Sequence, residues 1–265
     1  MDTFQAIIIA IVEGLTEFLP VSSTAHMKFV HPLLGVTDTP FVDMYEVVIQ
    51  LAAILAVVVL YYKKFFDFKR FAFYTKLIIA IIPALIFGIL LKKHIDAALG
   101  NLTFIAIVMV AGGIILLFID EVFKNPIIDS EEKVNNKTAI IIGCGQVLSI
   151  IFPGLSRSAA TIITGMSQKL TRSAAAEFSF FLAVPTMLAA SVKSFWDTYK
   201  VHPEVIAKDN LTILLIGSLV AFGVALISIK FFISFLKKYG FRIWGVYRII
   251  AGLTMLFLIW KGIVR

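Results

Sequence analysis

Six apolar runs punctuate the chain, at residues 47–62, 77–91, 104–118, 174–192, 211–229 and 243–259. Each approaches or reaches the roughly 17–25 residues that a helix needs to cross a hydrocarbon core. Two further apolar stretches are shorter: residues 4–19, about 24 Å long as a helix, and 139–152, about 21 Å. Both run into a proline, Pro20 and Pro153. Segments too short to span that stop at proline predict re-entrant helix-turn-helix units, which enter the membrane, turn in irregular backbone and leave on the same side. Such backbone is tolerated at membrane depth only where it lines a cavity or is buried in protein. The predicted fold is therefore all-α, a polytopic membrane protein with about six full transmembrane helices plus two re-entrant segments.

The two short segments sit in matching places. Pro20 precedes Glu46 by 26 residues and Pro153 precedes Glu177 by 24, and an apolar helix follows each glutamate. This spacing predicts an inverted repeat with halves at about 1–130 and 139–265, within one membrane-embedded domain covering 1–265, and a site near the repeat interface.

Composition agrees with lipid as the solvent. Of the 265 residues 60% are hydrophobic and 15% charged, with a mean hydropathy of +0.96, whereas a soluble domain carries about 25% charge. The net charge of +7 does not indicate nucleic acid, because the Lys and Arg residues fall mostly between the apolar runs, where they act as topology signals. The segments 63–76, 124–138, 169–173 and 237–242 hold 13 of them, Lys69 included, and the opposite loops hold seven, Arg265 included. The richer set is expected in the cytoplasm, which places both termini and the first re-entrant segment outside. A single cysteine, Cys144, excludes an intrachain disulfide and reads as a buried structural thiol. Asp2 stands where a secretory signal would be basic, so residues 1–20 are expected to stay in the fold.

Charges inside a membrane cost roughly 2.5–3.5 kcal/mol each at a helix centre and are functional by default. Two clusters qualify. In the first, Glu13 and Glu17 lie four apart and share one helix face, where they could hold a divalent metal cation or divide acid and base roles. Ser22, Ser23, Thr24 and His26 crowd the turn that follows; a hydroxyl near an imidazole and a carboxylate is the minimal kit for activating a nucleophile. In the second, Gly154 permits a close turn, Ser156, Ser158 and Thr161 offer hydroxyls with the amides of a starting helix, and Arg157 adds a planar fork for phosphate. The bland alternatives are carboxylates facing headgroups and an Arg157 that snorkels. Arg248 reads equally as a further substrate-binding cation or as an interfacial anchor beside Trp244 and Tyr247. Glu177 reads as structural, Glu46 stays open, and His31, His94 and His202 read as ordinary surface histidines. No zinc spacing, P-loop or Gly-x-Ser-x-Gly elbow is present.

The residues Glu13-Gly14-Leu15-Thr16-Glu17-Phe18-Leu19-Pro20-Val21-Ser22-Ser23-Thr24-Ala25-His26, Glu46-Val47-Val48-Ile49-Gln50-Leu51, Pro153-Gly154-Leu155-Ser156-Arg157-Ser158-Ala159-Ala160-Thr161 and Ala174-Ala175-Ala176-Glu177-Phe178-Ser179-Phe180 resemble those of the bacterial undecaprenyl-diphosphatases, or bacitracin-resistance proteins. The likeness in order and spacing covers essentially the whole chain. Two departures are small: Ala25 stands where that family usually has glycine, and Ala159-Ala160 replaces a pair that usually contains one.

The resemblance implies hydrolysis of undecaprenyl diphosphate to undecaprenyl phosphate at the outer face of the bacterial plasma membrane, and dependence on a divalent cation, Mg²⁺ or Ca²⁺. In the expected mechanism Arg157 and its loop grip the diphosphate, Ser23 or a water attacks phosphorus, and His26 moves the proton. Glu13 and Glu17 orient His26 or hold the metal. The expected partners are the isoprenoid diphosphate lipid and the bilayer, with room left for a homodimer. The rival reading is a transporter of the polyprenyl phosphate or a small anion, since broken helices in inverted repeats are a transporter architecture.

Overall fold

The computed structural model describes residues 1–67 and 70–264, so Lys69 and Arg265, two of the charges counted toward orientation, lie outside the described residues. The chain opens with a hairpin of two short helices, α1 (Thr3–Thr16) and α2 (Ser23–Leu33). A long helix follows, α3 (Pro40–Leu60), then the single turn α4 (Tyr62–Phe65) and a second long helix, α5 (Phe71–Leu90). The short α6 (Lys92–Leu99) leads into α7 (Leu102–Val122). A second hairpin, α8 (Asn136–Ile151) and α9 (Arg157–Ser167), precedes three more long helices, α10 (Arg172–Val201), α11 (Lys208–Tyr239) and α12 (Arg242–Trp260).

Six of these helices, α3, α5, α7, α10, α11 and α12, are long and apolar enough to cross a membrane. Each half of the chain is thus a short hairpin followed by three long helices. Three of these long helices, α3, α5 and α7, separate the two hairpins.

Local sequence sets the helix boundaries. Asp2 and Gln5 form a reciprocal capping box at the start of α1, each side chain bonding the other's backbone N–H at 2.8 Å. Thr39 caps α3 with Pro40 at its first position, and Asn101, Asn135 and Thr171 cap α7, α8 and α10. Helices α10 and α11 have 30 and 32 residues, well beyond their apolar runs. At about 45 Å and 48 Å they outreach the hydrocarbon core, and the exposed Trp196 and Tyr199 near the end of α10 suit a membrane interface.

Against lipid the surface is apolar, as in the exposed stripe Ile78, Ile82, Leu85 and Ile89 along α5. The interior packs aromatics edge to face: Phe18 on Phe180 with ring centroids 5.1 Å apart, and Phe73 on Phe181 at 5.2 Å. The first contact bears on function, because Phe18 directly follows Glu17 and fixes the first hairpin's turn against α10.

Ion pairs gather at two levels. Lys64 reaches Glu131 at 2.7 Å and Glu177 at 2.9 Å, and Arg70 reaches Glu131 and Glu132 at 3.2 and 2.7 Å. This network ties the α3–α5 and α7–α8 connections to the start of α10, and gives Glu177 the structural use expected of it. In the other network Lys28 lies 3.2 Å from Glu46, with His31 Nε2 at 3.1 Å from the same carboxyl. His31 is therefore a buried residue, not a surface histidine, because α2 packs that face inward. The Cys144 thiol differs in the opposite sense: it is exposed, since the small residues flanking it turn the packed face of α8 away from it.

Candidate active site

Both hairpin turns have the same construction. Ser22 and Ser156 each precede an 11-residue helix, each caps it through the side chain, onto Ala25 N at 3.3 Å and Ala159 N at 3.2 Å, and each has positive φ, 71° and 77°. Non-glycine residues seldom occupy that region, and such strain persists only where the surroundings enforce it. Gly154, at φ 99°, lies against Ile105, where a Cβ would come within 2.5 Å of the Ile105 carbonyl oxygen. The two turns thus present the starts of α2 and α9, with their free amides and positive dipole ends.

The first residues of those helices, Ser23 and Arg157, meet on one carboxylate. The Ser23 hydroxyl donates to Glu17 Oε2 at 2.6 Å, and the Arg157 guanidinium donates to Glu17 Oε1 at 2.8 Å. Arg157 also reaches the Ser179 carbonyl at 3.4 Å. One turn back on α1, Glu13 is fully buried, and neither of its carboxylate oxygens has a hydrogen-bond partner. A buried pair of free acceptors beside a second carboxylate fits a hard cation, whose remaining ligands would be water or phosphate oxygens. Among the described residues no cluster of three or more His, Cys, Asp and Glu side chains forms a metal cage.

His26 faces elsewhere. Its Nδ1 lies 2.8 Å from the Ser22 carbonyl, which can only accept, so Nδ1 carries the hydrogen and Nε2 is the accepting nitrogen of the neutral ring. That Nε2 lies 2.7 Å from the Tyr247 hydroxyl, and the two rings stack 5.6 Å apart, inclined by 5°. The structure thus pairs Ser23 with Glu17, and His26 with a tyrosine on the last helix.

The remaining sequence candidates hold the frame. Ser158 donates to the Leu19 carbonyl at 3.0 Å, joining one turn to the other, and the Thr161 hydroxyl lies 2.6 Å from that of Ser179. Thr24 sits half-buried beside Ser23. Arg248 is fully buried and donates to four carbonyls: Met109 at 3.2 Å, Pro20 at 3.0 Å, Leu155 at 2.7 Å and Gly154 at 2.8 Å. It clamps both turns onto α7, and its burial removes the interfacial-anchor reading. Gly112 makes room for it, as a Cβ there would lie 2.2 Å from a guanidinium nitrogen. The sequence offers Tyr247 only as an interfacial neighbour of Arg248; its bond to His26, 221 positions away, carries no local signal.

Fold and site together define a polytopic membrane protein whose two re-entrant hairpins bring a serine and an arginine onto one buried carboxylate. Residues 6–254 match the family described as Bacitracin resistance protein BacA, and the chain belongs to that family. It is 51% identical over 257 residues to an undecaprenyl-diphosphatase of Flavobacterium johnsoniae, covering 97% of this chain and 96% of the relative. An undecaprenyl-diphosphatase of Porphyromonas gingivalis is 47% identical, with 99% of both chains covered. One from Bdellovibrio bacteriovorus is 41% identical over 99% of this chain and 98% of its own.

Proposed function

We propose that the chain is an undecaprenyl-diphosphate phosphatase, hydrolysing undecaprenyl diphosphate to undecaprenyl phosphate and inorganic phosphate, with Glu17, Ser23 and Arg157 as its reaction centre. Through this reaction it recycles the carrier lipid for cell-wall synthesis and confers bacitracin resistance. The observation that carries the assignment of the centre is that one buried carboxylate accepts a hydroxyl on one oxygen and a guanidinium on the other. Transport alone requires no such nucleophile-base pair.

The diphosphate enters between the starts of α2 and α9, where amides and dipoles favour an anion. Arg157 turns its fork to the terminal phosphoryl group and neutralises charge as it develops. The Ser23 oxygen attacks that phosphorus and its proton passes to Glu17. The bond from phosphorus to the bridging oxygen breaks, and undecaprenyl phosphate leaves with that oxygen. Water then attacks the phosphoserine and gives its proton to His26 Nε2, which exchanges its hydrogen bond from Tyr247 for that proton, while Ser23 recovers its own from Glu17, releasing inorganic phosphate. Glu13 and Glu17 would hold a divalent cation, which would supply further charge neutralisation at the phosphates.

The site lies toward the outer face in this reading, supported by the excess of Lys and Arg on the opposite loops. Release of phosphate from undecaprenyl diphosphate by the purified full-length protein in detergent tests the proposal. A protein that releases none, while retaining its helical content, is not the enzyme described.

A further inference from the structure

Beside the candidate site a groove of about 320 Å³ runs between α2 and α12. Phe29 and Leu33 line it from α2, and Tyr247, Ile250, Thr254 and Leu258 line it from α12. Those spacings, four on one helix and three, four and four on the other, make two facing stripes. Each stripe begins beside His26. On α2, Phe29 follows His26 by three residues, with ring centroids 6.5 Å apart; on α12 the groove ends at Tyr247, which bonds His26. From Tyr247 to Leu258 the groove covers about 16 Å of helix, from the level of the buried turns toward the end of α12. Phe29 also belongs to a small apolar cluster with Ala25, Ile105, Met109 and Met255, separate from the main core, which backs the groove.

We propose that this groove holds the isoprenoid chain of the substrate next to its diphosphate, and that Tyr247 is the positioning residue joining tail to chemistry. The inference rests on the diphosphatase reading. It commits to the isoprenoid rather than to bulk lipid because the groove ends at Tyr247, which bonds His26, and His26 stands one turn along α2 from Ser23. A diphosphate held at the turns must send its apolar chain out along some wall of the protein, and this wall begins at a catalytic side chain. Tyr247 serves both ends: its ring closes the groove, and its hydroxyl holds the accepting nitrogen of His26. A chain seated against the ring fixes the tyrosine, and thereby the imidazole.

Two arms test this on the full-length protein. In the first, a benzophenone amino acid replaces Ile250 and the protein is irradiated with undecaprenyl phosphate in phosphatidylglycerol nanodiscs. The expected adduct carries the isoprenoid and is lost when Thr254→Trp fills the groove. An adduct carrying phospholipid alone, or an isoprenoid adduct indifferent to Thr254→Trp, overturns the proposal. This arm needs no turnover, so it stands even if the protein proves not to hydrolyse the lipid.

In the second arm, Thr254→Trp is expected to raise KM for undecaprenyl diphosphate at least tenfold, while kcat/KM for isopentenyl diphosphate, whose five-carbon chain ends short of Thr254, is expected to stay within twofold of wild type. Equal effects on both substrates, or none on either, overturn it. Tyr247→Phe keeps the ring and loses the hydroxyl, so it is expected to lower kcat several-fold with KM for the long substrate unchanged. A rise in KM with kcat intact would remove Tyr247 from the positioning role.

Discussion

The Ser23 hydroxyl donates to Glu17 at 2.6 Å, while the ring nitrogen of His26 that could have served it lies on Tyr247 instead. If Glu17 is the base for the first step, Glu17→Gln should be nearly as damaging as Ser23→Ala. Both are expected to lower kcat by at least 10³-fold, about 4 kcal/mol, in protein that still binds the lipid. His26→Ala would act later, so rapid quenching of that variant should trap more phosphoserine than wild type. A Glu17→Gln enzyme within tenfold of wild type would return the role of base to His26.

Arg157 makes a second measurement possible. Lysine keeps the positive charge but cannot offer the parallel pair of N–H donors, so Arg157→Lys should cost at least tenfold in kcat/KM, about 1.4 kcal/mol. An unchanged kcat/KM would mean that Arg157 serves only to hold Glu17.

Much of this architecture was legible from the chain alone, because lipid leaves a coarse and strong signature. The apolar runs located the six long helices, and Pro20 and Pro153 located the hairpin turns. Embedded charge drew attention to Glu13, Glu17, Arg157 and Arg248, since each must be compensated by something. What compensates each one is a matter of long-range packing. Arg248 finds Pro20 across 228 positions and Gly154 across 94, and no periodicity encodes those contacts. The surface position expected for His31 fails for a similar reason: its burial depends on Glu46, which arrives from another helix. The buried position expected for Cys144 fails because an apolar stretch does not reveal which helix face meets lipid.

Orientation can be checked by cysteine labelling with an impermeant reagent in intact cells. The exposed Cys144 should first be replaced by serine. A cysteine at Thr37, between α2 and α3, should label, and one at Lys137, at the start of α8, should label only after permeabilisation. The reverse pattern would place the hairpin carrying Ser23 on the cytoplasmic side.

The network on the other side of the protein predicts a pH dependence of stability. Burial pushes the Glu131 carboxyl up, but hydrogen bonds from Lys64 and Arg70 outweigh it and hold the group below its ordinary value of 4.5. A depressed carboxyl contributes stability that is complete above its unfolded value and lost as pH falls through the folded one. Unfolding temperatures should therefore drop below about pH 4.5, and Glu131→Gln should lower stability at pH 7 while weakening that acid limb. An acid limb identical in both proteins would assign it to other carboxyls.

The clamp formed by Arg248 gives the most specific prediction, because a distant methyl group can open it. Four carbonyls from two turns and α7 converge on this guanidinium, and a buried hydrogen bond to a charged group is worth about 1.5–3 kcal/mol. Arg248→Met would remove this donor from all four carbonyls and threatens folding itself, so it cannot separate stability from catalysis. Gly112→Ala can. Its Cβ would lie 2.2 Å from one guanidinium nitrogen and 2.9 Å from the central carbon, so the group must shift and weaken its hold on Gly154. The two turns would then relax relative to each other, with Arg157 displaced from the attack line of Ser23. Since misplacement of about 1 Å can cost 10²-fold in rate, kcat should fall at least tenfold in protein that remains folded. Gly88→Ala is the control: nothing lies within 4 Å of a Cβ there, and alanine suits a helix interior better than glycine by about 1 kcal/mol. It should keep full activity at equal or greater stability. If Gly112→Ala behaves like Gly88→Ala, the alignment of the two turns does not depend on Arg248.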